Sequence, residues 1–305
     1  MIPTATFQDD DTGIRYMHGG EEFVVVELAE SISLEVNMRT MAICHRLEEL
    51  DLLGVVDICP ANASYMVRFD PDSFAPHELV AELRRVEKDV GDAADFQLAT
   101  RIVDFPVLYE DPWTLETLMR FRDCHQTPDK SDLEFAAEIN GFDSVEEFIE
   151  AHCGAPYIVS MCGFVPTVPW CFQLSGDRQI EVPKYVRPRT DTPGRALGHG
   201  GACAVLYPVR GAGGYQLFGM AAAPIFQAEQ TLPDFRKSMT FCRPGDIVKF
   251  RRVDRAEYDD IRSEVEAGTF EYRKAQFQFV PGDFLSHPEL VCGEMLRSLY
   301  GDSGP

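Results

Sequence analysis

Residues 152–219 contain glycine, proline and aromatic residues at a density that a long helix does not tolerate. The segment includes Pro169-Trp170, Pro193-Gly194, Gly198-His-Gly-Gly201 and Gly211-Ala-Gly-Gly-Tyr215. Short apolar runs separate these groups, which is the pattern of strands joined by tight turns. The segment therefore predicts a small all-β unit, and its turns are where backbone amides can approach a ligand.

Size and charge limit the class of protein. A chain of 305 residues has room for two domains with separate cores. Its apolar runs are too short to cross a bilayer, and the first residues lack the basic and apolar regions of a signal peptide. We therefore expect a cytoplasmic protein without a membrane partner. The formal net charge of −22 argues against nucleic acid as a partner.

The nine cysteines predict free thiols, because none belongs to a Cys-x-x-Cys pair and the count is odd. His125 follows Cys124, and His152 precedes Cys153. Adjacent residues seldom ligate one ion together, so we predict no metal site.

The first hundred residues alternate strand and helix patterns. Strands are predicted at 23–28, 53–58, 64–69 and 99–109, and helices at 33–50 and 76–90, the second opening with Pro76. This order is that of a ferredoxin-like βαββαβ domain, which we place at 15–108. An insertion with short helices follows at 109–151. There, Ser131-Asp-Leu-Glu134 and Ser144-Val-Glu-Glu147 match capping boxes at two helix starts.

The motifs of the second half resemble a known family, subunit 1 of allophanate hydrolase or, equivalently, the B component of prokaryotic 5-oxoprolinase, which includes bacterial histidine-kinase inhibitors. From Pro193 to Pro208 the spacing agrees without a gap, and Arg243-Pro-Gly-Asp246 matches the closing turn of the domain. The residues that match in order are His152, Tyr157, Gly163, Phe164, Pro166, Pro169, Pro183, Pro188, Arg189, Pro193, Gly198, Tyr207, Pro208, Gly213 and Gly214.

The resemblance implies an α+β protein in which a cyclophilin-like β-barrel follows the ferredoxin-like domain. We place this barrel at 152–255 and a C-terminal extension at 256–305. It also implies a second barrel subunit or hydantoinase-like subunits as partners. Such complexes use ATP to act on a small-molecule carbonyl substrate, and this chain is expected to bind no cofactor directly.

The chain departs from the family pattern at several positions. Pro166-Thr-Val stands for Pro-Gly-Phe, Lys184 for the first Arg, Arg195-Ala-Leu for Gly-Ser-Val, Cys203-Ala204 for Gln-Thr, and Tyr215 for Trp. A relative that has changed substrate fits these departures better than an unchanged hydrolase does.

His152 and Arg189 are the candidate catalytic residues. An imidazole titrates near working pH and can transfer a proton in either direction, although a histidine that caps a helix is the alternative. The guanidinium of Arg189 can hold a carboxylate or carboxyphosphate in a fork, and a surface salt bridge is the alternative.

Seven further residues are candidates for substrate binding. The glycine turns offer amides to an oxyanion or merely turn a barrel corner. Cys203 is a nucleophile if a base such as His199 faces it, and otherwise a buried inert thiol. The seven are Tyr157, Lys184, His199, Cys203, Gly213, Gly214 and Tyr215.

The predicted function is that of one subunit of a multi-subunit ATP-dependent enzyme acting on an activated carbonyl. It is either a biotin-independent ketone carboxylase of the acetophenone type or an amide hydrolase of the 5-oxoprolinase or allophanate type. Two alternatives stay open from sequence alone: a regulator that inhibits a histidine kinase, and a purely structural subunit.

Overall fold

The computed structural model describes residues 6–8, 13–165, 167–176 and 179–302. Pro166, which belongs to one of the family motifs, lies outside them. The chain divides into two compact units, one covering 1–98 with 279–285 and the other covering 99–278 with 286–305.

The first unit is a five-stranded antiparallel sheet with two helices packed on it. The sheet has the order β1-β2-β3-β5-β4. Alternate strand residues such as Val24, Val26, Tyr65 and Val67 join the inward face of both helices in one apolar core. The elements are β1 (Thr6–Gln8), β2 (Arg15–His18), β3 (Phe23–Glu27), α1 (Leu34–Leu50), β4 (Val55–Pro60), β5 (Ser64–Phe69) and α2 (Pro76–Val90).

The helix starts in this unit follow the sequence signals. The Ser33 hydroxyl accepts a hydrogen bond from the Val36 amide at 3.2 Å, which caps α1. Pro76 opens α2 at its first position, where the missing N–H costs nothing.

The second unit is a closed barrel with helices and one further strand around it. Its strands are β6 (Leu98–Tyr109), β7 (Tyr157–Cys162), β8 (Pro169–Gln173), β10 (Ala196–Gly200), β11 (Cys203–Leu206), β13 (Gln216–Ala221) and β14 (Ile247–Arg252). They run in the order β13-β10-β11-β8-β7-β14-β6, and pairing of β13 with β6 closes the ring. A separate ribbon pairs β9 (Arg189–Thr192) with β12 (Gly211–Gly213), and β15 (Lys274–Phe279) adds to β6.

The remaining helices are α3 (Pro112–Arg120), α4 (Asp132–Ile139), α5 (Val145–Gly154), α6 (Arg255–Ala267), α7 (Pro281–Ser286) and α8 (Pro288–Tyr300). The predicted capping box at α4 is complete, since Ser131 and Glu134 each accept the other's backbone amide. At α5, Ser144 accepts the Glu147 amide. Both helices contribute side chains, including Phe135 and Phe148, to the apolar cluster of the barrel interior.

The structure differs from the ferredoxin-like prediction at the last strand. The strand predicted at 99–109 exists as β6, but it pairs with β13 and β14 in the barrel. Residues 102–107 are buried without interruption, so both faces of this strand need cover, which a barrel provides. The first sheet has β2 as the neighbour of β3 instead. The ferredoxin-like domain is therefore not confirmed, and the mixed α/β architecture with a barrel is.

The compact units also divide the chain differently from the predicted boundaries of 15–108, 109–151, 152–255 and 256–305. The insertion at 109–151 and most of the C-terminal extension belong to the same unit as the barrel.

Barrel closure depends on a glycine. A Cβ atom on Gly219 of β13 would lie 2.6 Å from the Leu108 carbonyl oxygen of β6. We expect Gly219→Ala to lower the free energy of unfolding by about 3 kcal/mol, because backbone atoms cannot yield without separating the two strands. Urea unfolding of the full chain measures this loss.

Gly211→Ala is the matched control, because a Cβ atom on Gly211 meets nothing within 4 Å. Equal unfolding midpoints for the two variants would show that the β13–β6 contact does not limit closure.

Candidate functional site

The nine candidate residues all lie in the second unit, and the barrel wall sorts them into an interior and an exterior group. Side chains alternate between the two faces along each strand. In the hairpin of β10 and β11, His199 opposes Ala204, whereas Gly200 opposes Cys203. Ala204 belongs to the interior cluster, and Val205, on the same face as Cys203, belongs to an exterior one.

His199 and Cys203 therefore lie on opposite faces of the wall. The condition under which Cys203 would be a nucleophile, a facing His199, is therefore not met, because the tight turn between the two strands reverses the face. Burial raises the pKa of the Cys203 thiol to about 12, so the group is neutral at physiological pH. This is the inert thiol of the alternative interpretation.

The interior group is a hydrogen-bonded chain of two histidines. The His199 Nε2 atom lies 3.1 Å from the Ile180 carbonyl oxygen, which only accepts, so Nε2 carries a hydrogen. His199 Nδ1 then accepts from His152 Nε2 at 3.3 Å. His152 Nδ1 in turn accepts from the Tyr109 hydroxyl at 3.0 Å. With one tautomer of each imidazole, every ring nitrogen in this series has a hydrogen-bond partner.

Both histidines are held neutral. Burial lowers the pKa of His199 to about 4 and, together with the neighbouring His199, lowers the pKa of His152 well below its usual value. His152 is 0% exposed and packs against Phe218 and Phe250, with ring centroids 5.2 Å and 5.8 Å away.

These contacts give His152 a positioning role. Both of its ring nitrogens are engaged, and the Tyr157 hydroxyl donates to its carbonyl oxygen at 2.8 Å. The chain thereby fixes the end of α5 against the barrel wall. Proton transfer by His152 stays a prediction.

The exterior group contains Arg189, which is 0% exposed. Its Nε atom donates to the Thr192 hydroxyl at 3.2 Å, and its guanidinium carbon lies 4.4 Å from the Tyr185 ring centroid. Within the described part of the chain, Nη1 and Nη2 have no hydrogen-bond partner of normal geometry. The guanidinium nevertheless interacts with the hydroxyls of Tyr185 and Tyr207, because its charge and a side-chain hydrogen-bond contact both oppose the rise in the pKa of each hydroxyl that burial causes.

Gly213 lets the β9–β12 ribbon approach this guanidinium. It pairs with Arg189, and a Cβ atom there would lie 2.5 Å from the Tyr207 hydroxyl and 2.8 Å from the Thr192 hydroxyl. Gly214 and Gly201, two glycines of the predicted turns, make backbone hydrogen bonds to the segment that precedes Arg189. Gly214 accepts the Tyr185 amide at 2.7 Å, and the Gly201 amide donates to the Val182 carbonyl at 2.7 Å.

Asp132 is a buried carboxylate near Arg189 that the sequence analysis did not single out. Its carboxylate accepts the Tyr185 hydroxyl and the Leu217 amide, each at 2.6 Å. Burial raises the pKa of Asp132, while the two hydrogen bonds and the charge of Arg189 oppose that rise. The capping box at Ser131 places Asp132 in the first turn of α4, but nothing in the sequence aims it at Tyr185.

The other exterior residues surround Trp170. Lys184 Nζ lies 5.0 Å from the Tyr215 ring centroid and 5.8 Å from that of Trp170. The two rings meet edge to face at 5.6 Å. Cys203 lies near enough for Lys184 to oppose the rise in its pKa. We call Trp170, Lys184, Cys203 and Tyr215 the aromatic box.

Two features are not found among the described residues: a metal site and a membrane-spanning helix. No group of three or more His, Cys, Asp and Glu side chains there is placed to hold a metal ion. Nor does that part of the chain contain a helix long and apolar enough to cross a membrane.

A mixed α/β protein with a closed seven-stranded barrel and a cationic exterior site is the class that these observations define. Residues 14–235 match the carboxyltransferase domain family, subdomains C and D. The chain belongs to this family, as its motifs predicted.

Two curated relatives show how much of each protein the chain represents. It is 28% identical to the B component of 5-oxoprolinase from Bacillus subtilis (strain 168) over 253 residues, which cover 80% of this chain and 95% of the relative. It is 21% identical to the urea amidolyase of Saccharomyces cerevisiae over 259 residues, which cover 84% of this chain but 14% of that protein.

A solved structure supports the fold. The crystal structure of the K. lactis urea amidolyase superposes with a TM-score of 0.79 at 21% identity, covering 95% of this chain and 18% of that one.

Stability should depend on pH through the buried histidines. The folded chain keeps His199 neutral down to about pH 4, whereas the unfolded chain protonates it below about pH 6.5. The unfolded state therefore binds more protons in this window, and acidification favours unfolding. Each such histidine makes the loss steeper by about 1.4 kcal/mol per pH unit. We expect His199→Gln to reduce the slope of the unfolding free energy against pH by one such contribution. Urea unfolding between pH 6.5 and 4.5 measures this slope.

The exposed His77 provides the control, and His77→Gln should retain the wild-type slope. Carboxyl groups titrate in the same window, but they are common to all three proteins and cancel in the comparison. An unchanged slope in His199→Gln would contradict the neutral histidine chain.

Proposed function

We propose that this chain is one subunit of a multi-subunit ATP-dependent enzyme that acts on an activated carbonyl group. The relatives that it spans almost completely are named as a subunit of 5-oxoprolinase, and the urea amidolyases contain a similar segment. The reaction is either amide cleavage or, in a branch of the acetophenone type, carboxylation.

Arg189 carries the proposal. The terminal nitrogens of the buried Arg189 make no hydrogen bond of normal geometry to the described residues, although the hydroxyls of Tyr185 and Tyr207 interact with the guanidinium. A carboxylate or a related planar anion can complete such an arrangement. Two parallel N–H donors match the two oxygens of such a group, which lysine cannot do. The hydroxyl of Tyr207 lies beside the same guanidinium and accepts from it through its oxygen, so its hydrogen stays available to an anion.

The site is closed in this state, since Arg189 has no solvent exposure. An anion would reach it only if the largely exposed segment at 183–188 moved or a partner subunit rearranged it. This requirement fits a subunit that becomes active in a complex.

The other components would supply what this chain lacks. We propose that ATP is bound by another subunit, and that the partner is a second barrel subunit or a hydantoinase-like one. In this scheme His152 would act by fixing the end of α5 against the barrel wall. A role in proton transfer would require the hydrogen bonds of its two ring nitrogens to break.

The relatives do not favour a kinase regulator, because they are named as enzyme subunits. A purely structural subunit is the competing interpretation. It predicts that Arg189 contributes to stability and not to turnover.

Substitution of Arg189 distinguishes the proposed enzymatic role from the purely structural one. The complex is recovered from the native host with the tagged chain, and ATP-dependent turnover is measured with carbonyl substrates such as 5-oxoproline and urea. We expect Arg189→Lys to assemble and to lose roughly 100-fold in kcat/KM, because a lysine keeps the charge but loses the fork.

Arg187→Lys is the control. Arg187 lies on the same segment but is exposed and paired with Asp123 at 2.8 Å, so its variant should retain turnover. Assembly of Arg189→Lys with turnover within about threefold of the wild type would support the structural interpretation instead.

A further inference from the structure

The aromatic box has a fixed geometry. Trp170 on β8 opposes Val205 on β11, and Cys203 on β11 opposes Phe172, so these side chains share the exterior face. A Cβ atom on Gly200 would lie 2.4 Å from the Tyr215 ring, so the ring rests directly on the β10 backbone. The Tyr215 ring therefore cannot approach the wall more closely.

Two polar atoms of the box are buried without a partner. Neither Trp170 Nε1 nor the Tyr215 hydroxyl has a hydrogen-bond partner among the described residues, and Tyr215 as a whole is 6% exposed. Leaving a buried donor unmatched costs about 1–3 kcal/mol. Each of these two groups can therefore donate to an acceptor of a bound ligand.

The charge of the box selects the kind of acceptor. The Lys184 ammonium is exposed and lies over both rings. The Cys203 thiol is neutral and adds no negative charge. A cationic ligand would meet the ammonium and would find no carboxylate in the box. An anion would meet one positive charge and the two unmatched groups.

The two ring surfaces favour a flat ligand. Two aromatic rings at 85° to one another form a corner in which a flat conjugated group stacks on one ring and meets the edge of the other. A puckered aliphatic group of equal charge fills such a corner less well.

We propose that the aromatic box is a binding subsite for a small planar carboxylate. The subsite rests on the proposed function, since it would hold part of the carbonyl substrate beside the Arg189 site. Tyr207 connects the two, because both it and Tyr215 contact the space that a Cβ atom on Gly198 would occupy.

The test uses the fluorescence of Trp170 in the full-length Trp113→Phe chain. The sequence has two tryptophans, so this variant reports on the box alone. The probes are benzoate, benzamide and cyclohexanecarboxylate, which vary charge and planarity one at a time. We expect saturable quenching by benzoate, with a Kd at least about tenfold lower than for the other two.

Lys184→Met should raise the Kd for benzoate at least about tenfold, and Arg187→Met, which removes an exposed cation from the same segment, should leave it unchanged. Absence of saturable quenching, equal affinity for benzamide, or an equal effect of the two substitutions would each overturn the subsite. The turnover of Arg189→Lys is measured separately, so a box that fails while that variant is inactive leaves the proposed function standing.

Discussion

Closure of the barrel is the constraint on which the rest of the structure depends. Where β13 meets β6, Gly219 leaves no room for a side chain against the Leu108 carbonyl, so the ring closes through backbone contact. Once the ring is closed, strand alternation allows two destinations for each side chain. One face of β10 sends His199 into an aromatic interior, and the opposite face of β11 sends Cys203 outward. The chemistry of each group then follows from its side of the wall.

The interior and the exterior treat polar groups in opposite ways. Inside, the neutral chain from Tyr109 through His152 and His199 to a backbone carbonyl satisfies each ring nitrogen, which is the condition for burying imidazoles at low cost. Outside, Arg189 and Tyr215 are buried with donor atoms that lack a hydrogen bond of normal geometry to any described residue. Donors of this kind remain available to a ligand. Arg189 and Lys184 also place positive charge on this face of a chain whose net charge is −22.

Local signals in the sequence predicted much of the fold. Hydrophobic periodicity located α1, α2 and β6, and the capping residues Ser131 and Ser144 marked the starts of α4 and α5. The assignment of β6 to the first sheet failed because pairing is a non-local choice, which alternation along one strand does not reveal. Candidate residues were found by motif, and most lie in the barrel region, but their grouping was not predictable. His199 and Cys203 are four residues apart, and the tight turn between them decides that they face apart. Trp170 and Asp132 gained their significance from partners distant in sequence.

The two exterior sites differ in how tightly their neighbours constrain them. Arg189, Tyr207 and Gly213 contact one another around the buried guanidinium. Gly213 cannot change without driving a Cβ atom into the Tyr207 hydroxyl, and Arg189 cannot change without losing its fork. In the aromatic box, the exposed Lys184 lies over Tyr215 and has no such steric restraint. The β9–β12 ribbon holds Arg189 but no residue of the box. We therefore expect that a substitution in the box can alter what the proposed subsite binds without disturbing the surroundings of Arg189.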